Sequence, residues 1–274
     1  MVQYLSHFNL IWLGILASLC AGLATGVGSI PIFFTKNVSK KILDMLLGIA
    51  AGVMLAATSF SLIVPAIEKG GGGVKGSTIT LIGILCGGFF IDAIDKYFPD
   101  TNLLTNAVDE INEEQAIDSL AITISRRLRK TWLFVLAITI HNFPEGLAVG
   151  VGFGDGDIAN GLSLAIGIGL QNFPEGLAVA LPLLREGFSR KRSFLIALAS
   201  GLVEPIGGLL GVSLIQISKP ILPFAMAFAA GAMLFVIAHE IIPETQSQEG
   251  HSKQATHAML VGFVIMMFLD NTLG

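Results

Sequence analysis

Apolar residues in this chain gather into long runs and do not alternate with polar ones. Eight runs stand out, at about 10–34, 43–67, 77–98, 131–152, 159–184, 194–217, 221–243 and 255–272. A helix needs about 20 apolar residues to cross the hydrocarbon core of a bilayer. The pattern therefore predicts an all-α integral membrane protein with eight transmembrane helices in one polytopic domain, 1–274. The eighth run is the weakest, because its uninterrupted apolar core is short. Connections are brief except for 99–130, which holds Asp100, Asp109, Glu110, Glu113, Glu114 and Asp118, then Arg126, Arg127, Arg129 and Lys130. It reads as a solvated loop with some helix.

Positive charge orients the stack. Thirteen lysines and arginines lie in the odd-numbered loops and three, Lys69, Lys75 and Lys219, in the even-numbered ones. Cytoplasmic loops collect such residues, so the odd loops, 99–130 included, should be cytoplasmic and both termini extracytoplasmic. No Lys or Arg precedes Lys36, whereas a cleavable signal peptide wants a basic start. The first run is thus read as a mature membrane helix.

Within this apolar background one polar motif occurs twice. HNFPEGLAVG runs from His141 and QNFPEGLAVA from Gln171. Residues four apart share a helix face, so His141 pairs with Glu145 and Gln171 with Glu175. A proline between them frees a backbone carbonyl one turn back, which a membrane tolerates only where something else satisfies it. Both motifs fall near mid-membrane at about 1.5 Å per residue. The short loop from Phe153 to Ile158 makes their helices antiparallel neighbours. The same sequence therefore runs outward once and inward once, and such inverted pairs place binding sites at the midplane.

A charge at a membrane helix centre costs about 2.5–3.5 kcal/mol on insertion scales. Glu145 and Glu175 should face each other and repel. Protonation, a buried base or a cation would relieve them. No Lys or Arg lies in the fourth to seventh runs, so a basic partner is missing. A third carboxylate, Glu204 in GLVEPIGG, sits at similar depth and again adjoins a proline. Imidazole, carboxylate and amide oxygen without thiolate suit Zn²⁺, with Fe²⁺, Mn²⁺ and Co²⁺ as further candidates.

Composition agrees with a bilayer environment. Hydrophobic residues make up 53% and charged residues 13% of the 274, against about 25% charged in soluble domains. A net charge of −4 gives no reason to expect nucleic acid. Cys20 and Cys86 are too few for a disulfide framework. GGGGVKGST from Gly70 lacks the Gly-Lys-Ser/Thr order of a phosphate loop, and reads as a flexible outer loop. Glycines four apart, such as Gly22/Gly26 and Gly207/Gly211, let helices approach closely. They would serve a homodimer and a monomer alike.

At the paired motifs the sequence resembles the ZIP (Zrt/Irt-like) family of divalent metal transporters, in particular its bacterial GufA-like branch. The resemblance covers nearly the whole chain. It implies a 3+2+3 helix arrangement in which the first and last triplets are related by inverted pseudo-symmetry, and a plasma (inner) membrane location. It implies import of Zn²⁺, with Cd²⁺ also accepted, through a two-metal centre. One site would use His141, Glu145, Gln171 and Glu175. The other would use Asn142, Glu145, Asn172 and Glu175, with Glu204 nearby. Family members often have Asp where this chain has Asn172, which weakens the second site here. Met54 and Ser61, seven apart on one face, resemble residues of the entrance path, as does Asp270 in FLDNTLG. His239 and Glu240 resemble exit residues. His251 and His257 read either as metal catchers at the cytoplasmic face or as solvated loop residues.

Two other classes stay open on the residues alone. An intramembrane metalloenzyme would need an open metal position, a general base and a substrate cleft. HExxH chemistry is not available, because Pro243 stands where the second histidine belongs. A proton-coupled carrier of an organic solute would use Glu145, Glu175 and Glu204 as relays and would ignore chelators.

Overall fold

The computed structural model describes residues 2–5, 7–35, 38–97, 116–246 and 252–273. Among these residues every regular element is helical. Seven stretches are long and apolar enough to cross a membrane. They are α1 (Leu10–Phe33), α2 (Lys40–Lys69), α3 (Gly73–Ile94), α5 (Ile158–Arg185), α6 (Arg190–Ile217), α7 (Lys219–Gln246) and α8 (Ser252–Thr272). The helix carrying the first NFPEG motif, α4, runs from Ala116 to Gly154.

Several elements differ in detail from the apolar runs. α4 extends back through residues expected in the long loop. Ile117, Leu120, Ala121, Ile124 and Leu128 recur at helical spacing there, and no Gly or Pro interrupts them. α1 stops as a regular helix at Gly28 and continues as a 3₁₀ turn, Ile30–Phe33, at Pro31. α6 breaks after Gly201 and restarts at Glu204, with Pro205 in its first turn. α2 and α7 each contain a π-helical stretch, Ala57–Ile63 and Ile237–Ile241. Each lies just before a proline, Pro65 or Pro243. Such wide turns are rare and gather at functional sites. By contrast α4 and α5 stay helical through Pro144 and Pro174.

Helix starts are capped by side chains. Asn9 accepts from the Ile11 N–H, Ser39 from Ile42, Asp157 from Asn160 and Ser189 from Arg192. These satisfy donors that the first helical turn leaves without partners.

Glycine contacts sort the helices into two groups. Gly146 and Gly150 on α4 lie against the backbone of Glu204 and Gly208 on α6. Gly176 on α5 lies against Thr25 on α1, and Gly22 on α1 against Gly201 on α6. Thus α1, α4, α5 and α6 meet backbone to backbone. In the same way Gly48 and Gly52 on α2 meet Ala255 and Met259 on α8, while Gly87 on α3 meets Phe228 on α7. Between the groups, Gly167 on α5 instead meets the side chains of Met266 and Val53. Helices welded through glycine approach closely and gain dispersion contact. A seam of flexible side chains is looser.

Gly176→Val places a branched side chain against the Thr25 carbonyl. It is expected to cost about 1–3 kcal/mol and to lower the melting temperature of the detergent-solubilised protein. Gly88→Ala, whose added carbon would meet only the Gly231 carbonyl at 3.6 Å, should leave that temperature unchanged.

Candidate metal centre

The two motifs meet because α4 and α5 are antiparallel neighbours joined by a short turn. The glycine after each glutamate lets a third helix approach, α6 at Gly146 and α1 at Gly176. His141, Asn142, Glu145, Gln171, Asn172, Glu175 and Glu204 are all buried. Each copy thus supplies two neutral polar side chains and one carboxylate, and the break in α6 supplies the third carboxylate.

Hydrogen bonds link the helices through amides. Gln171 donates from Nε2 to Glu145 Oε1 at 2.5 Å, joining α5 to α4. Asn172 donates from Nδ2 to the Ala21 carbonyl of α1 at 2.7 Å and to Glu204 Oε1 of α6 at 2.6 Å. His141 Nε2 lies 2.5 Å from Glu240 Oε1 on α7. Glu145 is within electrostatic reach of Glu175 and Glu204, and Glu204 of Glu175.

Many oxygens remain without a donor. Asn142 Oδ1, Glu145 Oε2, Gln171 Oε1, Asn172 Oδ1, Glu204 Oε2 and both carboxylate oxygens of Glu175 are buried and unpartnered. Buried polar groups in native proteins almost always have partners. Each orphan costs about 1–3 kcal/mol, and the membrane interior makes the alternatives worse. These groups are nearly all acceptors, so donors or cations are what the centre lacks. Among the described residues no three His, Cys, Asp or Glu side chains converge on one metal position. A cation here must therefore draw on the amides as well as the carboxylates, or pull the side chains closer.

A family model described as "ZIP Zinc transporter" matches residues 100–270. The chain belongs to the ZIP family. Relatives extend the match beyond the motifs. The zinc transporter GufA of Myxococcus xanthus is 41% identical over 95% of this chain and 99% of its own length. The zinc transporter ZIPB of Bordetella bronchiseptica is 38% identical over 92% of this chain and 78% of its own. The zinc transporter ZupT of Clostridium perfringens is 34% identical over 95% of each.

The flanking ZIP residues are distributed unevenly. Ser61 donates to Asp270, and Ser163 reaches the same carboxylate at 3.4 Å. Both Ser61 and Asp270 lie near one end of the bundle, beside a cavity of about 580 Å³. Met54 is wholly buried between that end and the centre. Glu240, which resembles an exit residue, pairs directly with His141. The π turn in α7 brings it there. Its neighbour His239 is exposed and stacks on Phe235 at 5.1 Å. His257 is exposed on the first turns of α8. His251 lies outside the described residues. No motif in the sequence marks Ser163 or Asn160, and Lys69 enters it only as one of the outer-loop charges.

Asn172→Ala removes donors to two helices and is expected to lower the apo melting temperature. Glu175→Gln replaces a carboxylate that has no partner, so it should leave apo stability equal or raised. Thermal unfolding in detergent with a chelator checks both. Equal losses in the two variants would show that their surroundings are equivalent.

Proposed function

We propose that the chain carries divalent transition metals, Zn²⁺ first, across the membrane into the cytoplasm through the centre between α4 and α5. The single observation that carries this reading is the set of buried, unpartnered oxygens on the two NFPEG motifs and Glu204. An enzyme does not need that inverted symmetry, and an organic solute would not satisfy so many acceptors at once. What the relatives are called, zinc transporters, supports the same cargo.

In this reading Zn²⁺ is the substrate and the transient ligand. One position takes His141, Glu145, Gln171 and Glu175. A second takes Asn142, Glu145, Asn172 and Glu175, with Glu204 at its edge. Borderline-soft Zn²⁺ accepts imidazole and carboxylate together, with geometry that is not strict. Fe²⁺, Mn²⁺, Co²⁺ and Cd²⁺ compete for the same donors. When metal arrives, Gln171 releases Glu145 and turns its own oxygen inward, and Glu240 gives up His141.

Metal enters past Asp270 and Ser61 and leaves past Glu240, while the group α1, α4, α5 and α6 rocks against α2, α3, α7 and α8. The loose side-chain seam between these groups supports a sliding boundary. We further infer eight membrane passes, with α4 as one of them, in a 3+2+3 order. Several features support inverted symmetry. α2 pairs with α8 as α7 pairs with α3, and α1 with α5 as α6 with α4. AAGVML at Ala50 and AAGAML at Ala229 precede the two π turns. Both termini then lie outside a plasma membrane.

Uptake of radiolabelled Zn²⁺ into proteoliposomes tests the reading. Wild type should show saturable uptake, and Glu145→Ala and Glu175→Ala should each reduce it at least about a hundredfold, since each would contact both metals. Near-normal uptake in either variant would sink the two-metal centre. Asn172→Asp adds a carboxylate at the second position. It should tighten Zn²⁺ binding by calorimetry, at some loss of apo stability beside Glu204, and unchanged affinity would remove Asn172 from the ligand set.

A further inference from the structure

At the end of the bundle that the lysine and arginine distribution assigns to the outside, a cation already sits on the route. Lys69 is the last residue of α2, where the negative end of the helix dipole favours an ammonium. Its Nζ lies 2.5 Å from Asp155 Oδ2 and 3.5 Å from Asp157 Oδ2. Both aspartates belong to the tight turn between α4 and α5. Their other oxygens hold that turn in shape. Asp155 Oδ1 accepts from the Asp157 N–H at 3.2 Å, and Asp157 Oδ1 caps α5 by accepting from Asn160 at 3.1 Å. One oxygen of each carboxylate thus builds the turn, and the other faces Lys69.

The pair does not sit on an idle surface. Lys69, Asp157, Glu68 and Asn160 line the same cavity as Asp270. Asn160 is 7% exposed, and its Nδ2 has no partner. The cavity therefore has three carboxylates, one buried amide and one positive charge around a passage meant for a cation. That positive charge works against the passage. It repels an approaching divalent ion and occupies the oxygens that would attract one.

We propose that Lys69 is a tethered competitor for the incoming metal: its ammonium holds Asp155 and Asp157 at the mouth until a divalent cation displaces it. The aspartates are then a first capture position ahead of Asp270, and Lys69 sets the concentration at which metal gains it. A divalent ion carries twice the charge of the ammonium. It can also take oxygens from both carboxylates, Glu68 and Asn160 at once, which a single ammonium on an α2 stem cannot. The exchange also frees the α4–α5 turn from α2, which belongs to the other helix group. The inference rests on metal transport through this chain as its background.

Initial rates of Zn²⁺ uptake in proteoliposomes test it, with wild type, Lys69→Met and Lys69→Arg side by side. Lys69→Met should lower the apparent KM roughly three- to tenfold, because a unit charge a few ångströms from the path is gone. Lys69→Arg keeps the charge and should keep the KM. The gap between wild type and Lys69→Met should close at about 1 M KCl, where the Debye length is about 3 Å. A role in folding alone would reduce the maximal rate and leave KM and its salt dependence as they were. An unchanged or raised KM in Lys69→Met overturns the proposal. Should that variant fail to insert, Asp155→Asn with Asp157→Asn keeps the turn's hydrogen bonds and releases the ammonium into the mouth. KM must then rise, and an unchanged value is equally fatal. Absence of saturable uptake in wild type counts against transport itself. The competition is then read from equilibrium Zn²⁺ binding, where Lys69→Met must bind more tightly than wild type for the proposal to stand.

Discussion

Gln171 holds one oxygen of Glu145, and Asn172 holds one oxygen of Glu204 together with the Ala21 carbonyl. These amide links are what allow carboxylates to stand at the middle of an apolar bundle. Each amide gives its hydrogens to a neighbouring helix and keeps its own oxygen free. The same residues that stabilise the empty centre therefore present acceptors to a cation. Replacing amides by carboxylates would strengthen the acceptors and remove the donors. The chain balances the two needs by alternating residue types within each motif.

The backbone serves that balance. Glycines after Glu145 and Glu175 bring α6 and α1 close enough for the amides to reach. A break in α6 puts Glu204 at the start of a helix beside Asn172. The π turn in α7 moves Glu240 onto His141. Proline accompanies each distortion on α2, α6 and α7, yet the prolines inside the motifs leave α4 and α5 unbroken.

Much of this was legible from residue order. Long apolar runs located the helices, since a bilayer imposes a length that few other environments demand. The repeated NFPEG motif located the centre, because six polar or special residues at matched depth have no cheap structural use. Wide turns were not legible. A π turn adds one residue to a helix and rotates everything after it, and nothing local distinguishes Pro65 or Pro243 from prolines that simply start a turn. The contact of Glu240 with His141 was hidden for that reason. The start of α4 was left without a boundary for another. Asp118 and the basic residues Arg126, Arg127, Arg129 and Lys130 end an apolar run there, although Ile117, Leu120, Ile124 and Leu128 keep the helical period. Lys69 was visible only as a count in an outer loop, because its aspartate partners lie 86 and 88 positions away.

The contacts of Gly146 and Gly150 with Glu204 and Gly208 have a consequence for divergence among relatives. Where two backbones touch, no side chain fits, so almost any exchange on that seam is penalised whatever its chemistry. The seam holding Val53 and Met266 is lined by groups that can change size without moving a main chain. Adaptation to a different ion radius has room to proceed there, and the α4–α6 contact acts as a ratchet that confines the search to the other side of the protein.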